Sequence, residues 1–191
     1  TLITAAAAQW HDFEMLWRKL PTGLTLTDNT REMGVLMVTG PKARDLFESL
    51  GTVADLTAGW LTHQSAKVAG IDCHIARVSF AGELGWEIHA HIDKIGALYD
   101  AVIGARATPF GMWALNSMRL EKGYRAWKGD LTSDYSLLEG GLERFVRFEK
   151  SQDFPGKTAL LNEKQQGVAK GFVTLTVDAG EADAPYMSTL W

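Results

Sequence analysis

The sequence predicts an α+β protein, and three observations predict it. Apolar residues recur at helical spacing in separate stretches, with residues 9–20, 95–103 and 110–123 the clearest. Alternating or β-branched segments at 33–38, 66–68, 71–80 and 169–177 lie between and beyond them. The two kinds mingle without the steady strand–helix alternation of a doubly wound sheet, which favours mixed or antiparallel sheets with packed helices. At 191 residues the chain is long enough for one good core, or for one domain and part of another.

Composition narrows the function classes. The chain is 46% hydrophobic and 22% charged, with a formal net charge of −4. That mild acidity gives no electrostatic reason to expect a nucleic-acid or anionic-membrane partner. Cys73 is the single cysteine, so no intrachain disulfide can form. A reducing compartment is expected, the cytoplasm or, in a eukaryote, the mitochondrial matrix. No apolar run approaches the roughly 20 residues that span a bilayer. The chain begins at Thr1 inside an apolar run with no basic leader, and ends at Trp191 with no tail composition. It reads as a fragment cut at both ends.

Taken in order, Trp10, Phe13, Leu16, Trp17 and Leu20 mark an amphipathic helix closed by Pro21 and Gly23. Strand-like segments follow at 24–27 and 33–38. Pro41 sits where a first helical turn accepts it, opening a helix over 43–50. A strand pair is expected at 66–68 and 71–80. Ile95, Leu98, Tyr99 and Val102 share one face of a helix over 95–103. The helix over 110–123 is apolar but for a narrow strip bearing Asn116, Arg119, Glu121 and Lys122, and Gly123 ends it. Residues 124–131 read as irregular, 134–141 as turn-rich, 143–148 as a strand and 157–165 as a short helix. Gln166-Gly167 reads as a linker. The expected domains are therefore 1–166 and, from 167 to 191, the beginning of another.

The organising stretch is 77–88, Arg-Val-Ser-Phe-Ala-Gly-Glu-Leu-Gly-Trp-Glu-Ile. Gly82 and Gly85 permit a tight, closely approaching turn. Phe80 and Trp86 flank it, and Glu87 supplies a carboxylate that is costly to bury unpaired. A carboxylate beside two rings suits a flat, hydrogen-bonding heterocycle; a hairpin whose Glu87 faces water fits equally. Arg119, on a mostly apolar helix, needs a partner. It can pair structurally with Glu121 or Glu87, orient the loop carboxylate, or meet a ligand carboxylate or carbonyl.

Other chemistries find less support. His89 and His91 are two apart and share a strand face, Cys73 and His74 are adjacent, and no set of ligands is completed, so no metal is expected. No Gly-x-Ser-x-Gly occurs. The Gly82/Gly85 pair lacks the third glycine of a dinucleotide fingerprint and leads into a strand.

The stretch 80–87, with 115–127 (Leu-Asn-Ser-Met-Arg-Leu-Glu-Lys-Gly-Tyr-Arg-Ala-Trp), resembles the glycine-cleavage T-protein, or aminomethyltransferase, family. The segments 138–142 (Leu-Glu-Gly-Gly-Leu) and 153–160 (Asp-Phe-Pro-Gly-Lys-Thr-Ala-Leu) echo two more of its motifs. Arg119 to Trp127 with Gly129-Asp-Leu is closest to the branch formed by the folate-binding halves of dimethylglycine and sarcosine dehydrogenases. The resemblance covers most of residues 1–165. It implies a tetrahydrofolate-binding domain that receives a one-carbon unit from an N-methylglycine-derived amine, followed from residue 167 by the start of a C-terminal β-barrel.

By the same resemblance Glu87 pairs with the amino-pyrimidine edge of the pterin. Phe80, Gly82, Gly85, Arg119 and Trp127 complete the cofactor's surroundings. Phe80 stands where T-proteins usually carry tyrosine, Leu115 replaces an arginine, and Asn116 replaces the branch's usual aspartate. The family's catalytic aspartate falls before Thr1, so no catalytic residue is assigned here. FAD is implied only for a domain N-terminal to this one. The partners implied are small molecules, with the oligomeric state open. Two rivals share the fold: a folate-binding regulatory or assembly protein without transfer activity, and a folate-dependent demethylase of another donor. The former typically carries cysteine in a Lys-Gly-Cys-Tyr-like motif, where this chain has Lys122-Gly123-Tyr124.

Overall fold

The computed structural model describes residues 1–178, 180–182 and 189. They fall into two compact units, Thr1–Tyr124 and Arg125–Trp191.

The first unit is built on a four-stranded antiparallel sheet. Its strands are β1 (Met33–Thr39), β2 (His63–Val68), β3 (Ile71–Ala76) and β4 (Gly85–His91), in the order β1-β4-β3-β2. The β2–β3 hairpin turns on Ala69 and Gly70, both at positive φ (49° and 78°), with Val68 paired to Ile71. Two left-handed residues match the twist of the strands they join, which explains why a non-glycine tolerates that conformation here.

Alternation decides what each face of the sheet does. Val38, Trp86, Ile88, Ala90, Ile75, Cys73, Ala66 and Val68 point to one side. There they meet Phe47 from helix α2 (Ala43–Ser49) and Leu98 and Val102 from α3 (Ile92–Gly104). Trp86, Phe47, Ile75, Ile88, Leu98 and Val68 are essentially sealed from solvent. The Phe47 and Trp86 rings lie 5.0 Å apart, tilted by 55°, within the favourable range for aromatic pairs. Gly34 lets α3 close on β1, since a Cβ there would stand 2.3 Å from Ile95 Cγ1.

Two further helices complete this unit. Helix α1 (Gln9–Arg18) buries no residue and leaves Trp10 and Trp17 exposed. Helix α4 (Met112–Glu121) is the helix expected over 110–123, mostly apolar with a narrow polar strip. Trp113 is 90% exposed and Met112 76%, whereas Arg119 is only 6% exposed. The helix therefore turns its arginine face inward, where the guanidinium finds acceptors, and its periodicity alone did not say which face would be covered.

The described residues of the second unit form little regular structure. It contains a 3-10 turn at Glu143–Phe145 and helix α5 (Lys157–Gln166). Arg125 ties it together: Nε donates to the Gly140 carbonyl at 2.9 Å, and the guanidinium lies 4.6 Å from the Phe172 ring centroid. The Phe172 amide in turn donates to the Glu139 carbonyl at 2.9 Å.

Three expected strands are corrected. Residues 24–27 and the described residues of 169–177 carry no ladder, and 143–148 begins as the 3-10 turn. Each has strand-like composition, but a strand needs a neighbour along its length to receive its backbone hydrogen bonds, and no described strand forms a ladder with these segments. The stretch 77–80, read as a continuation of β3, lies outside the ladder: Arg77 still exchanges backbone hydrogen bonds with Leu61 and Thr62, and 78–80 are irregular. Most of 183–191, within the expected start of a barrel, lies outside the described residues.

Candidate functional site

Strand β4 presents the site by alternation. Since Trp86, Ile88 and Ala90 face the core, Glu87, His89 and His91 face the open side. Glu87 is flanked by Met37 on β1 and Ala76 on β3, and His89 by Val35 and His74. Around Glu87 the open side thus mixes apolar side chains with imidazoles, and the Lys67–Asp72 ion pair lies on the β2–β3 part of the same side. Glu87 Oε2 lies 3.0 Å from His89 Nε2, and the two side chains are 29% and 14% exposed. The carboxylate is partly shielded and still reachable.

The loop before β4 is fixed from two directions. Gly82 has a φ of +79°, and a Cβ there would stand 2.4 Å from Lys122 Cγ. Gly85 opens β4 so close to β1 that a Cβ would meet the Val38 carbonyl oxygen at 2.6 Å. Glycine is required at the first by conformation and at the second by space. Arg77, at the loop's start, donates from NH1 to the Ala58 carbonyl at 2.7 Å and lies 5.7 Å from the Trp86 ring centroid.

The end of α4 meets this loop. Phe80 and Tyr124 stack with centroids 6.3 Å apart and planes 20° from parallel. Arg119 donates to Asn116 Oδ1 from Nε at 2.9 Å and from NH2 at 2.6 Å, and from NH1 to the Tyr124 carbonyl at 3.0 Å. The structure thus brings together the two stretches singled out in the sequence. Phe80 and Gly82 touch the α4 terminus, while Glu87 stands on the adjoining strand. Trp127 belongs to the second unit. It is half exposed and forms an isolated parallel bridge with Leu131.

Three residues of this arrangement were not read as site residues from sequence. Tyr124 is the ring that carries Phe80. Asn116 holds Arg119 across one helical turn, an i,i+3 spacing visible in the sequence. His89 was weighed only as a metal ligand, yet its two-residue spacing from Glu87 on a strand places both on one face. No cluster of three or more metal-ligating side chains occurs among the described residues. No described helix is long and apolar enough to cross a membrane.

A recess of about 620 Å³ in the same unit lies elsewhere, against β1, the start of α2, α3 and residues 106–112. Glu87, Phe80 and Arg119 are not among its walls. Glu87 is the candidate site on its chemistry: a partly shielded carboxylate with an imidazole beside it and, in the same unit, a ring stack are groups that can orient a planar polar ligand. The recess offers mainly apolar walls with the exposed cations Lys42 and Arg106.

The fit to a reduced pterin can be tested on these residues. An ionised carboxylate accepts hydrogen bonds only, and the pyrimidine edge of a pterin presents an N–H next to an amino group. Glu87 has that acceptor character, and the Phe80–Tyr124 stack supplies aromatic surface in the same unit. The residues fit the group. They do not fit a flavin dinucleotide, because the glycines of 82–85 lead into β4 and not into a helix.

Comparison with known proteins bears on the family of the chain. Residues 1–150 match the family described as GCVT N-terminal domain. The chain is 35% identical to human mitochondrial dimethylglycine dehydrogenase, an alignment covering 100% of this chain and 23% of that protein. It is 31% identical to the aminomethyltransferase of Listeria innocua, over 90% of this chain and 48% of that one. Among solved structures, the glycine cleavage system aminomethyltransferase T of Bartonella henselae superposes with a TM-score of 0.70 at 27% identity. That superposition covers 85% of this chain and 44% of the other. The chain thus spans under a quarter of the dehydrogenase and about half of the aminomethyltransferases.

Proposed function

The chain belongs to the GCVT N-terminal domain family of aminomethyltransferase-type proteins, and from that premise we propose that it binds tetrahydrofolate to receive a one-carbon unit. The unit would come from an N-methylglycine-derived amine, in a protein of the dimethylglycine or sarcosine dehydrogenase kind. The observation that carries this reading is Glu87, a partly shielded carboxylate held by His89 on the open face of the sheet.

In this proposal Glu87 accepts hydrogen bonds from the amino-pyrimidine edge and fixes the rotation of the pterin. Phe80, held by Tyr124, offers a ring face, and Gly82 and Gly85 keep the loop close to β1 and the α4 terminus. Arg119 acts through the α4 terminus, where it fixes the Tyr124 carbonyl. The assignment of Trp127 to the cofactor rests on the resemblance of its motif. Bound tetrahydrofolate would supply the nitrogen nucleophile that captures the one-carbon unit. The chain's own residues bind, orient and exclude water, so that the encounter becomes effectively intramolecular. We assign none of them a catalytic role. Any flavin would be held outside this chain. A compartment such as the mitochondrial matrix is proposed by analogy with the mitochondrial dehydrogenase relative.

Titration of tetrahydrofolate against the intact protein tests the reading. Glu87→Ala should weaken binding about 10- to 100-fold, the equivalent of losing charged hydrogen bonds worth about 1.5–3 kcal/mol. An affinity unchanged within about twofold would exclude Glu87 as the pterin anchor.

A further inference from the structure

We infer that His89 is the positioning residue of Glu87, setting which carboxylate oxygen is offered to ligand. This inference rests on the proposed pterin role of Glu87.

Neighbouring strands supply Glu87 with little that could hold its carboxylate. Its cross-strand neighbours are Met37 and Ala76, neither of which has a side-chain donor. A glutamate on a strand has several rotamers, and ordering them on binding costs free energy. The contact that removes this freedom is the 3.0 Å approach of Oε2 to His89 Nε2. An ionised carboxylate is acceptor-only, so the shared proton sits on Nε2 and His89 is the donor.

Burial gives the pair a direction. His89 is the more enclosed side chain, at 14% exposure against 29% for Glu87. It is flanked by Val35 and by His74, which itself approaches Ser65 Oγ at 3.4 Å through Nδ1. The donor is therefore the better shielded of the two and the acceptor the more accessible. With Oε2 engaged by His89, Oε1 is the oxygen left for a ligand N–H, while the remaining lone pair on Oε2 can accept from an adjacent amino group. His89 orients the anchor in advance and does not itself touch the pterin.

A double-mutant cycle on the intact protein separates this role from general support of the fold. Tetrahydrofolate affinity is measured for wild type, Glu87→Met, His89→Phe and the double variant, with thermal unfolding midpoints as a folding control. Methionine is close in size and offers His89 no oxygen acceptor. The expected result is a loss of about tenfold for His89→Phe in the wild-type background and almost none in the Glu87→Met background. His89→Gln, whose amide can still donate to Oε2, should restore affinity to within about threefold of wild type. Equal losses in both backgrounds would mean that His89 acts independently of Glu87, overturning the positioning role while leaving the anchor intact. No loss for His89→Phe would overturn it as well. If Glu87→Met itself leaves affinity unchanged, the pterin reading falls and this inference falls with it. Should His89→Phe fail to fold, His89→Asn and its double variant run the same cycle, since the shorter amide places its donor away from Oε2.

Discussion

Asn116 Oδ1 accepts two hydrogen bonds from Arg119, at 2.9 Å from Nε and 2.6 Å from NH2, one turn along α4. The neutral amide oxygen orients the guanidinium toward the Tyr124 carbonyl, on the residue whose ring supports Phe80. A helix-internal pair thereby braces the end of α4 against the loop of the candidate site. Asn116→Ala should lower unfolding stability by about 1–3 kcal/mol in urea titration, and Asn116→Asp should retain most of it. A loss below about 0.5 kcal/mol for Asn116→Ala would show that Arg119 is held adequately without it.

Gly85 and Gly82 should respond differently to the same substitution. At Gly85 an added Cβ meets backbone, the Val38 carbonyl oxygen at 2.6 Å and Thr39 Cα at 3.0 Å, and neither can move without opening the β1–β4 ladder. Gly85→Ala should cost about 1–3 kcal/mol by overpacking, and Gly85→Ser at least as much. At Gly82 the obstacle is the Lys122 side chain together with a φ of +79°. Trimming the lysine in a Gly82→Ala, Lys122→Ala double variant should relieve the contact and leave the backbone strain, about 1 kcal/mol. Full recovery would show that strain plays no part.

Much of this could be read from the chain, and the failures have physical causes. The core strands and helices α2 and α3 follow from period 2 and period 3.6, because a buried face constrains every second or every third and fourth residue. The open-face position of Glu87 follows from the same alternation. Residues 24–27 and 169–177 have equally strand-like composition, yet a ladder depends on a neighbour that local sequence does not specify. For Arg119 the sequence offers Glu121, Glu87 or a ligand oxygen as partners, because opposite charge is the conspicuous signal. Asn116, neutral and three residues away, was the less conspicuous acceptor. Phe80 and Tyr124 stack across a long separation in sequence, and nothing in either residue's neighbourhood announces the other.

Cys73 gives a pH signature. Burial in the sheet core pushes its thiol above the ordinary value of 9.0; a Val68 backbone hydrogen bond opposes this and the Asp72 charge adds to it. A raised native value means that folding favours the protonated thiol. The associated stability is complete below the ordinary thiol pKa and is lost as pH rises through the native one. The unfolding midpoint should therefore fall more steeply above about pH 9 for wild type than for Cys73→Ala. Thiol labelling of the native protein at neutral pH should be slow against that of a free cysteine. Parallel pH profiles for the two proteins would remove the thiol as the source.

Phe80 tests the aromatic half of the proposed pocket separately from its carboxylate. The ring is 38% exposed while resting on Tyr124 at 6.3 Å, so one face is supported within the protein and part of the ring remains available. Phe80→Ala removes both the ring offered to ligand and the partner of Tyr124. It should weaken tetrahydrofolate binding by roughly 5- to 15-fold, within the range for loss of one aromatic contact. Stability should fall by about 0.5–1.5 kcal/mol, because the stack is near the surface. Phe80→Tyr keeps the ring and adds one hydroxyl, so affinity should stay within about threefold of wild type. Tyr124→Ala removes only the support, and should reduce affinity less than Phe80→Ala. If Tyr124→Ala costs as much affinity as Phe80→Ala while Phe80→Tyr is neutral, the stack serves to place the loop, and the ring face is not where the ligand lies.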